Sequence, residues 1–386
     1  MNDVYVDKNY GGMLIVWDRL FGSFVEEDDT NPCVYGTRSP LNSWDPLWAN
    51  AEVYWALAQD SWHARNWADK LRVWCKPPGW RPADVVARFP KPAFELAALR
   101  VYHPPVSRGV LWFGSLQFVL LLAGVAWFLW MADSTPMALN AVGFTALTVG
   151  LWAGGGMLQG RLSVLEVLLI ESAVLATLTA AFGLVDLHRI FKPLTMVIAL
   201  VSVAYVAYSA STERGFDRYL GLALLASLAG DCFLMFPGYF IPGLVAFLTG
   251  HLLYIARFKQ GVPLFPSHWA LVTTLGIAAG MFTVLWLGGL PVALRGPVAA
   301  YVVVIALMAA QALGRTQVLR DKASTLVAAG AVFFMLSDSL LAVNRFVMPL
   351  NLGGVDAGLW VLSTYYIAQI LITRGCLEHA YKQQGR

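Results

Sequence analysis

From about residue 108 onward, long apolar runs alternate with short polar breaks. Most of the runs are close to the ~20 residues a helix needs to cross the hydrocarbon core of a bilayer. Ten can be read: Val110–Met131, Ala138–Leu158, Leu162–Leu184, Pro193–Ser209, Tyr219–Phe236, Tyr239–Ile255, Trp269–Leu287, Val292–Leu313, Ser324–Ala342 and Gly358–Ile372. An even number of crossings returns both termini to one side. Residues 1–107 carry no comparable run and are rich in Trp, Pro and charge, with an acidic turn at Glu26, Glu27, Asp28 and Asp29. The pattern therefore predicts an all-α polytopic membrane protein of about ten transmembrane helices with an N-terminal polar, Trp-rich lobe.

Composition sharpens this picture. The 386 residues are 58% hydrophobic and only 13% charged, with mean hydropathy +0.60, values foreign to an ordinary soluble domain. About half of the 27 Lys+Arg and 24 Asp+Glu residues fall within the first 108 positions, so the chain divides near Ser107. Eight of the 15 tryptophans lie in the lobe, where amphipathic rings would sit at the headgroup level or form a soluble core. The loops holding Arg161, Arg214 and Arg218, Arg257 and Lys259, and Arg315, Arg320 and Lys322 share the lobe's side, as does the tail with Lys382 and Arg386. Excess loop charge of that sign predicts a cell-membrane protein with both termini, and the surface-lying lobe, cytoplasmic. On the other side only Arg189, Lys192, Arg295 and Arg345 stand out.

A net charge of +3, with no basic cluster interleaved with aromatics, gives no reason to expect a nucleic-acid partner. Cys33, Cys75, Cys232 and Cys376 are far apart and form no CxxC, so no metal site or disulfide framework is expected. The polar N-terminus, MNDVYVDKN, does not read as a secretory signal peptide.

Candidate chemistry lies where ionisable groups interrupt the apolar runs. Asp231 and His251 sit within GDCFLMFPGYFIPGLVAFLTGHLLY, and Asp338 within LSDSLLA. A carboxylate at membrane depth costs roughly 2.5–3.5 kcal/mol on insertion scales, so such groups face a cavity, a partner or a substrate. At ~1.5 Å rise per residue, Asp231 and Asp338 fall about 21 Å along outward-running helices. His251 and Gln369 fall about 17 Å along returning ones by the same rise, with Tyr365 and Tyr366 close by. One layer of the membrane would hold them all. His251, Tyr254 and Phe247 recur at helical spacing and share a face. The Ser337 hydroxyl has the preceding turn within reach. Lys192, beside Pro193 at an expected helix start, is a candidate phosphate binder or a snorkelling lysine.

Two resemblances follow from particular stretches. DKNYGGMLIVWDRLFGSFVEED and YGTRSPLNSWDPLWAN resemble the fatty acid hydroxylase and sterol desaturase superfamily, especially its alkylglycerol monooxygenase-like members. In that family histidine boxes hold an iron pair, and the last box precedes the matching block. The lobe's histidines, His63 and His103, stand alone, so no iron ligand is carried over and no oxygenase activity is expected. Histidine boxes in frame upstream of Met1 would recast the protein as a bifunctional ether-lipid enzyme. The organisation expected is residues 1–107 from the end of such a domain, two linking helices over 108–160, and a second membrane domain over 161–386.

That second domain resembles the YhhN-like lysoplasmalogenases. The resemblance rests on FKPLTM with Lys192, GDCFLM with Asp231, FLTGHLLY with His251 and Tyr254, GAVFFMLSDSLLA with Asp338, and STYYIAQILI with Tyr365, Tyr366 and Gln369. It implies hydrolysis of the vinyl ether of a lysophospholipid in the bilayer, giving a fatty aldehyde and glycerophosphocholine or glycerophosphoethanolamine. Such chemistry runs by carboxylate acid/base catalysis with no cofactor. Asp231 and Asp338 are then the expected acid and base, with His251 or Tyr254 relaying a proton and Lys192, Tyr365, Tyr366 and Gln369 binding substrate. Two other readings remain open: a transporter or channel using Asp231, His251 and Asp338 as a proton or ion pathway, and a non-catalytic partner of a separate oxygenase chain.

Overall fold

A computed structural model of the chain describes residues 2–37, 39–92, 94–96, 100–209, 217–351 and 355–383, without the side chains of 379–383. Arg214, Arg386 and the Lys382 side chain, three of the charges expected to set topology, lie outside what is described. Contacts divide the chain into two units, Met1–Pro105 and Val106–Arg386.

Among its described residues the first unit holds four α-helices, α1 (Val16–Phe21), α2 (Pro46–His63), α3 (Trp67–Cys75) and α4 (Ala83–Arg88), joined by irregular segments. Helix α2 starts where Asp45 caps the amides of Leu47 and Trp48 and Pro46 takes the first helical position. Arg81 grips Asp60 through two bonds of 2.7 and 2.8 Å, tying the end of α2 to the entry of α4. Of the eight tryptophans only Trp80 is not largely exposed, so the rings do not form a core for this unit.

A clasp built on Asp18 closes its first segment. The carboxylate accepts the amides of Tyr10 and Gly11 at 2.8 and 2.7 Å and the hydroxyl of Ser23 at 2.7 Å. The Ser23 hydroxyl, with the two amides behind it, holds the carboxyl below its ordinary value against the opposing pull of burial. A carboxyl lowered on folding stabilises above its unfolded value and loses that contribution as pH falls through the folded one. Hydrogen exchange at Tyr10 and Gly11 in the full chain, corrected for intrinsic rate, should accelerate on acidification. Asp18→Asn should exchange fast throughout, and an acid-insensitive wild type would show that the clasp does not depend on charge.

Among the described residues of the second unit ten α-helices stand where ten runs were read. They are α5 (Arg108–Met131), α6 (Met137–Leu158), α7 (Val164–Ala181), α8 (Val185–Ser209), α9 (Arg218–Leu234), α10 (Phe240–Phe258), α11 (His268–Leu287), α12 (Val292–Leu319), α13 (Lys322–Phe346) and α14 (Ala357–Gln383). Eight of them are long and apolar enough to cross a membrane by length and composition. The other two are α9, which has only 17 residues, and α14, whose apolar run is broken by Thr364, Tyr365, Tyr366, Gln369 and Thr373. Both carry candidate site residues, and polarity needed at a site shortens the apolar signal.

One boundary differs in a telling way. Pro193 reads as a helix start, yet α8 begins two turns earlier at Val185 and runs through it. Proline removes one backbone bond, a loss tolerated in membrane helices when neighbours hold the chain. Here His188 Nδ1 reaches the Ala176 carbonyl of α7 at 3.0 Å, which secures the first turns. Lys192 is therefore inside a helix and not at its end.

Seven helices, α7–α10 and α12–α14, share one core, while α5 and α6 pack on α7 and α11 packs on α12. Helices α13 and α14 approach closely at two glycines: a Cβ at Gly330 would come within 2.9 Å of the Ala368 carbonyl and one at Gly375 within 2.7 Å of the Ala323 carbonyl. Most polar groups inside the bundle are matched as lipid requires, the exceptions among the described residues being His251 Nδ1 and the hydroxyls of Tyr366 and Thr373. Gln311, fully buried, accepts the Phe265 amide at 2.7 Å and donates to the Pro263 carbonyl at 3.1 Å. Ser337 does not bond its preceding turn; it crosses to the Val361 carbonyl of α14 at 2.9 Å. At one end of the bundle Arg257 pairs with Asp217, Arg374 with Glu166 and Lys322 with Glu378. Chain alternation then puts Phe240, Leu287, Val292 and Phe346 at the opposite end.

Candidate active site

The candidate residues gather into two hydrogen-bonded chains. The first joins α8, α9, α10 and α14. Lys192 Nζ lies 3.4 Å from Asp231 Oδ1, and the Tyr365 hydroxyl donates to Asp231 Oδ2 at 2.7 Å. Gln369 Nε2 donates to the Tyr365 oxygen at 3.3 Å, and the Tyr254 hydroxyl donates to Gln369 Oε1 at 2.6 Å. Five of the eight residues singled out in the sequence thus form one network. A sixth, Tyr366, is buried beside Tyr365, with ring centroids 5.1 Å apart and no hydrogen bond to its hydroxyl.

The second chain joins α10, α12 and α13. Tyr301 donates to Asp338 Oδ2, and His251 Nε2 lies 3.0 Å from the Tyr301 oxygen and 3.5 Å from Asp338 Oδ2. Because the tyrosine proton is spent on the carboxylate, the bond between the rings requires the proton on His251 Nε2. His251 Nδ1 is then left as a fully buried acceptor without a partner. Tyr301 was not among the expected residues.

Aromatic rings separate the two chains. Phe334 stands edge-on to His251 at 4.7 Å and to Tyr365 at 5.4 Å, and Phe247 packs edge-on to both Phe334 and Tyr365. Among the described residues no hydrogen bond joins one chain to the other. They also differ in access: the Asp231 side chain is 3% exposed and that of Asp338 16%.

That difference arises from a partly open cavity between α10, α11, α12 and α13. Its walls are mainly aliphatic and aromatic, including Leu244, Phe247, Ile277, Met281, Val302 and Ile305, and Tyr301, Asp338, Ser339 and Arg345 supply its polar side chains. Asp231, Lys192 and Gln369 do not line it. An apolar cavity with a few convergent polar groups is the usual form of a small-ligand site. Nothing similar exists for a metal: among the described residues no three His, Cys, Asp or Glu side chains gather to hold one. His63 packs against Phe89 with the rings tilted and their centroids 4.5 Å apart, and among the described residues of the first unit no group of three such side chains gathers.

Fold and site together define a multi-pass, all-helical membrane protein with a carboxylate–tyrosine–histidine set opening onto an apolar cavity. The YhhN family model matches residues 187–376, from the first turn of α8 to the last turns of α14. Human (Homo sapiens) lysoplasmalogenase TMEM86B is 33% identical over 188 residues, covering 49% of this chain and 76% of that protein. The Sus scrofa lysoplasmalogenase TMEM86B is 35% identical over 176 residues, covering 46% and 71%. The chain belongs to this family. Its N-terminal part matches alkylglycerol monooxygenases: that of Xenopus tropicalis is 32% identical over 123 residues, 32% of this chain. The chain spans only 27% of that relative's length. No solved structure matches it.

Proposed function

We propose that this protein hydrolyses the vinyl ether of lysoplasmalogens within the bilayer, with Asp338 as the reacting carboxyl. The observation that carries this is the meeting of Asp338 and Tyr301 at the wall of an otherwise apolar cavity, in a chain of the lysoplasmalogenase family. An alkenyl chain fits such walls. The cavity end of the bundle is the non-cytoplasmic end if the basic loops lie inside.

The chemistry needs a proton, a counter-charge and a water. Protonated Asp338 delivers its proton to the distal vinyl carbon, and the double-bond electrons form the new C–H bond. The carbon next to the ether oxygen becomes an oxocarbenium ion, opposed by the new carboxylate, much as carboxyls oppose the glycosyl cation in sugar hydrolysis. Water adds to that carbon and returns a proton to Asp338. The hemiacetal then collapses to the fatty aldehyde and the free glycerol hydroxyl, so that one water is consumed and the carboxyl is regenerated. Tyr301, donating to Asp338 Oδ2, holds the other oxygen toward the substrate, and His251, fully buried, acts through Tyr301.

Under this reading the two aspartates part company. Asp231, sealed with Lys192 and Tyr365, clamps α9 to α8 and α14 and does not touch substrate. A continuous proton pathway through both aspartates has less support, since aromatic rings lie between the chains. No oxygenase step is included.

Membranes expressing the chain are expected to release fatty aldehyde from a lysoplasmalogen and none from the saturated alkyl-ether analogue, which cannot form the cation by protonation. Absence of aldehyde from correctly inserted protein would sink the hydrolase reading.

A further inference from the structure

Arg345 is the cation that the cavity itself presents. It sits in the last turn of α13, seven residues beyond Asp338 and therefore on the same helix face about two turns away, roughly 10 Å along the axis. Its guanidinium carbon lies 4.1 Å from the centroid of the Phe240 ring and 5.8 Å from that of Phe346, and all three residues line the cavity. Among the described residues no carboxylate or other hydrogen-bonding partner reaches it, whereas Lys192 is taken up by Asp231. A guanidinium spread over a ring keeps its in-plane N–H donors free, in the fork that suits a phosphate oxygen pair.

We propose that Arg345 is the headgroup anchor of this cavity: seated on Phe240, it binds the phosphodiester of a single-chain ether lysolipid and so sets the enol ether against Asp338. This rests on the reading above for the identity of the reacting bond, while the anion site itself stands on the cavity and the unpaired guanidinium. The span between the two residues is comparable to the reach from a lysolipid's phosphate, across its glycerol, to the sn-1 ether. Arg345 is thus a specificity residue, and a lipid with the same chain but no phosphate gains nothing from it. A guanidinium that merely snorkels to the interface would treat both lipids alike.

The test uses the full chain, purified in detergent, as wild type, Arg345→Gln and Arg345→Lys, with thermal unfolding to show equal folding. In the kinetic arm, KM for a lysoplasmalogen should rise about tenfold or more in Arg345→Gln with kcat nearly unchanged. Arg345→Lys should fall between, and a phosphate-free 1-alkenylglycerol should be turned over alike by all three. In the binding arm, which needs no turnover, wild type should retain tritiated saturated 1-O-alkylglycerophosphocholine about tenfold better than 1-O-alkylglycerol, and Arg345→Gln should lose that preference. Inorganic phosphate at equal concentration should displace neither lipid. A preference that survives in Arg345→Gln, or an equal loss on both lipids, overturns the anchor. Displacement by inorganic phosphate overturns its assignment to a lipid headgroup. A wild type that shows the preference but releases no aldehyde keeps the anchor and removes the hydrolase reading instead.

Discussion

Asp338→Asn is expected to lower vinyl ether turnover by about 100-fold or more, the usual range for removing a group that gives and takes the reacting proton. The side chain keeps its size and can still accept the Tyr301 hydroxyl, so α12 and α13 should stay in register and the protein should insert normally. What disappears is the only acid among the described residues that line the cavity, together with the negative charge that opposes the oxocarbenium ion. Tyr301→Phe should cost less, about tenfold, because it frees Asp338 to rotate without removing its proton. Aldehyde release by membranes matched for protein content reads both. Full turnover in Asp338→Asn would eliminate Asp338 as the reacting group, and the search would return to the sealed aspartate.

The sequence made the helices legible because lipid demands a long apolar run wherever the chain crosses, and ten runs gave ten helices. It was less informative where polarity and crossing compete. Helix α9 is short, and α14 is interrupted by the residues that join it to α8, α9 and α10. The membership of the site was partly legible too: ionisable groups in apolar runs are costly, which singled out Asp231, His251 and Asp338 by their place in such runs. Their partition was not. Equal depth along antiparallel helices puts two aspartates in one layer but leaves the direction each faces undetermined, and here two phenylalanine rings stand between their networks.

Tyr301 was missed for a related reason. In AAYVVVIALM it is the lone polar side chain of an apolar run, and such a tyrosine ordinarily reads as packing. Its partners, Asp338 and His251, lie 37 and 50 residues away along the chain. No local pattern links the three. Lys192 shows the converse error: its charge stood out, but the proline beside it suggested a helix end and an exposed ammonium. Once α8 continues through Pro193, the ammonium is carried into the bundle and meets Asp231.

That meeting carries the second large effect. Lys192 and Asp231 are both buried, and removing one leaves the other charge without its partner, a change that costs about 3–5 kcal/mol in buried pairs. Lys192→Met should therefore sharply lower the unfolding temperature of the full chain in detergent. Replacing both residues by apolar ones of similar size, Lys192→Met with Asp231→Leu, should recover most of the loss, because a buried ion pair often contributes little beyond an apolar pair of the same shape. The Tyr365 hydroxyl would then lose its acceptor, so recovery should fall short by about 1–3 kcal/mol. Turnover decides what Asp231 is for. A recovered double variant that still releases aldehyde makes Asp231 a clamp between α8, α9 and α14. A double variant that is stable but inactive would give Asp231 a share in the chemistry, and the separation of the two aspartates by role would fall with it.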